Sequence, residues 1–174
     1  MRIGLFLLLP FFLLRFGLLA RLDREAIGRA ARFAPLEGGE RVAYWIYQTA
    51  NIGILLAILL LPVHPAPVWL TAVGTLVYAA GLALLAGAVV SFARPDRDGM
   101  NHTGLYRWSR HPMYAAYLVY FIGCVLLTRS TLLLALVLVF QIAGHWIIRA
   151  EERWCAARFG ESWRRYCSQV RRYF

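Results

Sequence analysis

The chain has 174 residues, 60% of them apolar and only 16% charged, and its mean hydropathy is +0.57. A soluble domain carries about a quarter charged residues, so this balance excludes a water-soluble enzyme and a disordered chain and fits one membrane-embedded unit. The formal net charge is +10, and all 19 basic residues are arginine, which excludes Schiff-base chemistry on a lysine.

Five apolar runs follow one another: Ile3–Ala20, Ala43–Pro62, Val68–Phe92, Met113–Thr128 and Thr131–Ile148. A helix needs about 20 apolar residues to cross the hydrocarbon core. The first run has Arg21 and Arg24 after it rather than a positive region before it. That polarity is wrong for a secretory signal, so an uncleaved membrane helix is expected. Only Arg129 and Ser130 separate the fourth and fifth runs, which predicts a tight helical hairpin, shallow or tilted because both runs are short. In the third run, Ala79, Ala83, Gly87 and Ser91 at spacing four suggest a close-packing face.

Arginine is unevenly spread. Five lie between Arg21 and Arg41, four between Arg94 and Arg110, and seven from Arg149 onward, while Val63–Pro67 holds none. The positive-inside rule then places the N-terminus outside and the C-terminus in the cytoplasm. The expected fold is all-α and polytopic: five transmembrane helices, the last two a hairpin, and a cytoplasmic C-terminal helix. Residues 1–92 form a three-helix membrane part, and residues 93–174 a part carrying the chemistry. Topology and attraction to anionic membrane lipid account for the charge, and no nucleic-acid module is recognisable. Three cysteines, Cys124, Cys155 and Cys167, without a C-x-x-C pair, suggest neither a disulfide framework nor a metal site.

Three places could carry chemistry. The second run opens with Tyr44, Tyr47, Gln48 and Asn51, polar groups that either bond between helices or wall a substrate cavity. The fifth run ends in Gln141, His145, Arg149 and Glu152, which lie within about 80° of one another on a helix, with Glu151 on the flank. The densest segment is Asn101–Tyr114. It holds aromatics, two arginines, His102, His111, and Pro112 placed to start a helix, whose free N–H groups suit an anionic or polar ligand.

Gly104-Leu105-Tyr106-Arg107, then Arg110-His111-Pro112-Met113-Tyr114, resembles the G-x-Y-x-x-x-R-H-P-x-Y signature of membrane-embedded methyltransferases. These are the isoprenylcysteine carboxyl methyltransferases and the phospholipid N-methyltransferases. The second half of the signature follows: Glu151-Glu152, Phe159-Gly160-Glu161, Tyr166, Val170 and Arg172. The resemblance implies S-adenosylmethionine as cofactor, with S-adenosylhomocysteine as product. It would be bound by Tyr106, His111, Pro112, Met113 and Tyr114 on one side and Glu151 on the other. Aromatic faces stabilise a sulfonium, and a carboxylate accepts from ribose hydroxyls and an ammonium. His111 and Glu152 are the candidate acid–base residues, with His145 a further candidate base, should the acceptor need to lose a proton. Arg149, His145, Asn51 and Gln48 are the candidate substrate-binding residues. No G-x-G-x-x-G follows a strand, so a Rossmann methyltransferase is excluded.

Three positions depart from the relatives. Ala116 stands where glycine is common, Val170-Arg171-Arg172 lacks the proline of V-P-R, and Ile147 replaces an arginine that contacts the substrate carboxylate in eukaryotic isoprenylcysteine enzymes. The expected function is methyl transfer to a lipid or lipidated acceptor drawn from the bilayer. The isoprenylcysteine-type carboxylate is the leading acceptor and a phosphatidylethanolamine-type amine the alternative. The expected location is a prokaryotic plasma membrane, with the active site facing the cytoplasm. Two other classes remain: a nicotinamide-dependent sterol-type reductase, distinguished by NADPH use, and a non-enzymatic membrane protein, distinguished by failure to bind an adenosyl cofactor.

Overall fold

The computed structural model of the chain describes residues 4–96 and 99–173. Arg2, Ile3 and Arg97, which enter the run and charge counts above, lie outside the described residues. Seven helices are described: α1 Gly4–Leu22, α2 Arg24–Ala31, α3 Glu40–Leu60, α4 Val68–Phe92, α5 Pro112–Thr128, α6 Thr131–Phe159 and α7 Glu161–Gln169, with a short 3₁₀ turn at Gly104–Arg107 before α5. Among the described residues there is no strand. Helices α1, α3, α4 and α6 are long and apolar enough to cross a membrane, and α5, with 17 residues, is shorter. Each apolar run of the sequence therefore becomes a helix. The last one continues well past Ile148 to Phe159, so Glu151 and Glu152 ride on the same rigid element as the membrane-spanning part.

The α5–α6 connection is as tight as expected. Arg129 adopts a left-handed conformation at φ 52° and closes α5, and the Ser130 side chain caps α6 by accepting from the Leu133 amide at 3.1 Å. Yet the hairpin partners are not each other's main neighbours. Helix α5 packs chiefly on α4, α6 packs chiefly on α3, and α1 lies against both α3 and α4. The Tyr78 and Tyr120 hydroxyls both donate to the Leu7 carbonyl at 2.9 Å, tying α1 to the α4–α5 pair. Such bonds hold helices together where lipid offers no hydrophobic drive. One continuous core runs through both halves, from Leu8 and Ile54 through Leu85 and Tyr120 to Phe140 and Ile147. Phe6, Trp45, Ile52, Leu76 and Ile142 point outward, as a lipid-facing surface requires.

The close-packing face of α4 is not the predicted one. Ala79 and Ala83 are exposed. The buried small residues are Gly74, Gly81 and Ala88, at spacing seven. Spacing four advances about 40° per step around a helix and walks off the contact line, whereas spacing seven stays within about 20° of it. Gly87 and Ser91, the other half of the predicted stripe, lie against Leu105 of the following loop. A Cβ on Gly81 would sit 2.4 Å from the Tyr120 backbone, and one on Gly123 2.5 Å from the Tyr78 backbone. The two helices thus interlock through reciprocal glycine notches.

Gly81→Val should lower stability by about 1–3 kcal/mol, the usual cost of overpacking, read as a fall in melting temperature in detergent. Gly28→Ala, where nothing lies within 4 Å, should leave it unchanged or slightly raised.

Candidate active site

The loop between α4 and α5 is anchored before it reaches the site. Gly104 has φ +59°, and a Cβ there would meet Ser91 Oγ at 2.3 Å, so both its backbone and its space demand glycine. Ser91 Oγ in turn accepts from the Leu105 amide at 3.2 Å and donates to the Gly87 carbonyl. The glycine of the signature is thereby the foot that plants the loop on α4. The Tyr106 carbonyl accepts a 2.7 Å bond from the Tyr166 hydroxyl of α7.

Residues 109–111 then run beside the C-terminal segment. The Arg110 amide donates to the Arg171 carbonyl at 3.0 Å, and Ser109 Oγ donates to the Arg172 carbonyl at 3.3 Å. Ser109 Oγ also accepts from the His111 amide at 3.2 Å. Pro112 opens α5, where its missing N–H costs nothing, and sets His111 as the residue flanking the helix start.

These backbone contacts converge on two carboxylates. Glu152, with a side chain only 12% exposed, receives Arg172 through three nitrogen–oxygen contacts of 2.6–3.1 Å and Arg110 Nη1 at 3.3 Å. Glu151, 30% exposed, accepts a 2.9 Å bond from the Tyr114 hydroxyl. His111 stands between them, with Nδ1 3.5 Å from Glu151 Oε2 and Nε2 3.4 Å from Glu152 Oε1. The Nε2 contact lacks hydrogen-bond geometry and is electrostatic. Burial alone would lower the His111 pKa. The two carboxylates outweigh it, and the net shift is upward. Two carboxylates facing the two ring nitrogens favour the form that carries a proton on each. The Tyr106 hydroxyl is pushed up, first by burial and then by the Glu151 charge, so it stays neutral and close to that carboxylate.

The structure thus brings together His111, Tyr114, Glu151 and Glu152, with Tyr106 and the α5 start at Pro112–Met113 beside them. Of the candidate substrate residues, His145 reaches this region indirectly: its Nδ1 shares a 2.6 Å hydrogen bond with the Tyr173 hydroxyl, one residue beyond Arg172. Arg149 is exposed, stacked 5.1 Å from the Trp146 ring, in a cleft with Glu37, Glu40 and Arg153. Gln48 and Asn51 are half-buried on α3, where their neighbour Tyr47 is the residue that approaches the site. Tyr47 stacks on Phe140 and lies 6.4 Å, ring to ring, from Tyr114. Ala116 is fully buried in the core, and so is Ile147. Ser109, which ties the loop to the C-terminal segment and to the His111 amide, escaped the residue patterns.

What this arrangement can do follows from unequal saturation. Glu152 faces three cationic groups and has little acceptor capacity left. Glu151 has one hydroxyl donor and one imidazole face, is more open, and retains acceptor sites. Ring faces and a carboxylate with spare acceptor sites fit a cation that also carries hydroxyl or ammonium donors. Among the described residues no group of His, Cys, Asp and Glu is placed to hold a metal ion.

Residues 87–162 match the family model of phospholipid methyltransferases. The matched segment begins where the loop is planted on α4 and ends just past the α6–α7 break, so it contains both halves of the cluster. The match falls on the segment whose motifs resemble the membrane methyltransferases, and is consistent with the superfamily that includes the isoprenylcysteine and phospholipid enzymes. No curated protein and no solved structure matches the chain.

A histidine whose pKa is raised stabilises the fold fully below its ordinary value, and the contribution is lost as pH rises through the raised value. The melting temperature of wild type should therefore exceed that of His111→Gln most at pH 6, with the gap narrowing toward pH 9. A gap that does not change over this range contradicts a protonated ring between the glutamates.

Proposed function

We propose that this membrane methyltransferase takes its methyl group from S-adenosylmethionine and delivers it to the polar head of a phospholipid-type acceptor lying in the bilayer. The observation that carries the reading is Glu151: a half-open carboxylate held by Tyr114 on the face of an aromatic site, inside a phospholipid methyltransferase segment.

When bound, S-adenosylmethionine supplies an electrophilic methyl group on a sulfonium centre. Glu151 would accept from its ammonium or ribose hydroxyls, the Tyr106 and Tyr114 rings would stabilise the positive sulfur, and the free amides at the start of α5, Met113 and Tyr114, would hold its carboxylate. Arg110 and Arg172 are occupied by Glu152 and keep that carboxylate in place. The segment 170–173 lies across the loop and excludes water from one side, which favours displacement chemistry. Alignment does most of the work. An ammonium acceptor must first lose a proton, and His111, already holding one between two carboxylates, is poorly placed to take it. Glu151 is the better proton acceptor, with His111 and Glu152 as its positioning residues.

An isoprenylcysteine-type carboxylate is the second reading, favoured by the signature the two groups share and by needing no base at all. Against it, Ile147 is fully buried and offers no cation, and Arg149 turns outward onto Trp146. In the same proposal α5 is a fifth crossing. Its 17 residues span about 26 Å, and it pairs along its length with α4. The arginine-rich ends, which meet through Arg153–Glu40 and Arg172–Glu152, face the cytoplasm, with the N-terminus outside.

Calorimetry on detergent-purified protein tests the cofactor assignment. Wild type should bind S-adenosylmethionine and S-adenosylhomocysteine at micromolar concentrations. Glu151→Ala should weaken both at least about 100-fold, and Tyr114→Phe, which removes one hydrogen bond of about 1 kcal/mol, about fivefold. Unchanged affinity in Glu151→Ala overturns the site. Binding of NADPH in place of either ligand would move the protein to the reductases.

A further inference from the structure

Glu151, Glu152 and Arg153 are consecutive at the exit of α6, and consecutive residues on a helix point about 100° apart. Each is held by a different part of the chain. Tyr114 of α5 donates to Glu151, Arg110 and Arg172 meet Glu152, and Arg153 reaches the start of α3 and the connector before it. All three nitrogens of the Arg153 guanidinium are engaged there. Nη1 donates to Glu40 Oε1 at 2.7 Å, Nη2 donates to Glu40 Oε2 at 2.8 Å and to the Pro35 carbonyl at 2.9 Å, and Nε lies 3.4 Å from Glu37 Oε1. A bidentate fork fixes direction as well as distance.

The receiving carboxylate is itself fixed. Glu40 Oε2 accepts from the Glu37 amide at 2.9 Å, the Glu40 amide donates to the Glu37 carbonyl at 2.9 Å, and the Glu40 side chain is only 12% exposed. A lone exposed ion pair contributes little. This one is a fork onto a mostly buried carboxylate that its own turn already holds.

The exit of α6 needs such a hold. Ala150 is the last buried residue of the helix, and none from Glu151 to Phe159 is buried. Full burial therefore stops where the carboxylates begin, and polar contacts set how far the helix is turned. Side-chain tips lie about 6 Å from a helix axis, so a turn of about 20° moves a carboxylate by about 2 Å. That is enough to break the 2.9 Å Tyr114–Glu151 bond. Glu152 ties the exit to the loop before α5, and Arg153 ties it to α3, so it is held from two sides.

We propose that the Arg153–Glu40 clamp is a positioning device for cofactor binding: anchored at the start of α3, Arg153 sets the turn of α6 at which Glu151 meets Tyr114 and keeps its remaining oxygen sites toward the ligand. This rests on the reading of Glu151 above as the residue that accepts from S-adenosylmethionine. Arg153 and Glu40 act through Glu151 and touch no reacting atom. Glu40 lies outside the segment 87–162 that matches the family, so the first half of the chain takes part in the site through this clamp.

The test reads S-adenosylhomocysteine affinity and melting temperature together, on the full chain in detergent, at a temperature where each variant is folded. Arg153→Gln should weaken binding at least about tenfold, since a misplacement of about 1 Å is already felt strongly in a site. Glu40→Gln should weaken it about fivefold, and the double variant should stay within about twofold of Arg153→Gln, because two partners in one contact do not add. Arg153→Lys keeps the charge without the fork and should lose about threefold. Arg164→Gln, which breaks the exposed Arg164–Glu161 pair of α7, should stay within about twofold of wild type. If Arg153→Gln does not fold, Glu40→Gln and Arg153→Lys decide. A lower melting temperature with unchanged affinity makes the clamp structural only and overturns the proposal, and so do losses that multiply in the double variant. No binding by wild type sinks the reading of Glu151 and the clamp with it, whereas variants that match a binding wild type sink the clamp alone.

Discussion

Glu152 is a carboxylate at the exit of α6, seven-eighths withdrawn from solvent, and it holds two other chain segments at once. Arg110 and His111 come from the loop that leads into α5, and Arg172 from beyond α7. A buried charge left without partners costs several kcal/mol, so each of these segments is fixed by the need to neutralise the others. The backbone pairing of residues 109–110 with 171–172 follows from the same convergence. Because Glu152 takes up the arginines, its neighbour Glu151 is left more open with a single phenol donor. Two adjacent glutamates thereby acquire different surroundings: one is saturated and closes the structure, and the other keeps acceptor sites open.

That ionic knot sits on an apolar frame built by a different rule. The hairpin α5–α6 is splayed, each arm gripping a helix from the first half of the chain. The reciprocal notches at Gly81 and Gly123 fix the depth at which α5 rides on α4, and hence the height of His111 and Tyr114. Gly104 on Ser91 fixes the loop at the same end.

Much of this was legible in the residues. Five apolar runs became five helices, Arg129-Ser130 gave the hairpin, and the segment from Gly104 to Glu152 contained the cluster. Two things were not legible, each for a physical reason. The packing face of α4 was misread because small residues at spacing four suggest a stripe, while nearly aligned helices meet along a spacing of seven. Arg149 and Glu152 looked like one polar stripe, yet the long Arg149 side chain turns onto Trp146 beside Glu37 and Glu40 while Glu152 turns to Arg110 and Arg172, neighbours that the helical pattern alone does not show.

The central claim is that the cluster around Glu151 moves a methyl group onto a lipid. Purified protein reconstituted in liposomes of phosphatidylethanolamine and phosphatidylglycerol, given S-adenosylmethionine with a tritiated methyl group, tests it most directly. The account predicts label in the organic phase, in a product migrating as N-methylated phosphatidylethanolamine, and none with Glu151→Ala. Label in no lipid, with wild-type protein that still binds the cofactor, would contradict it.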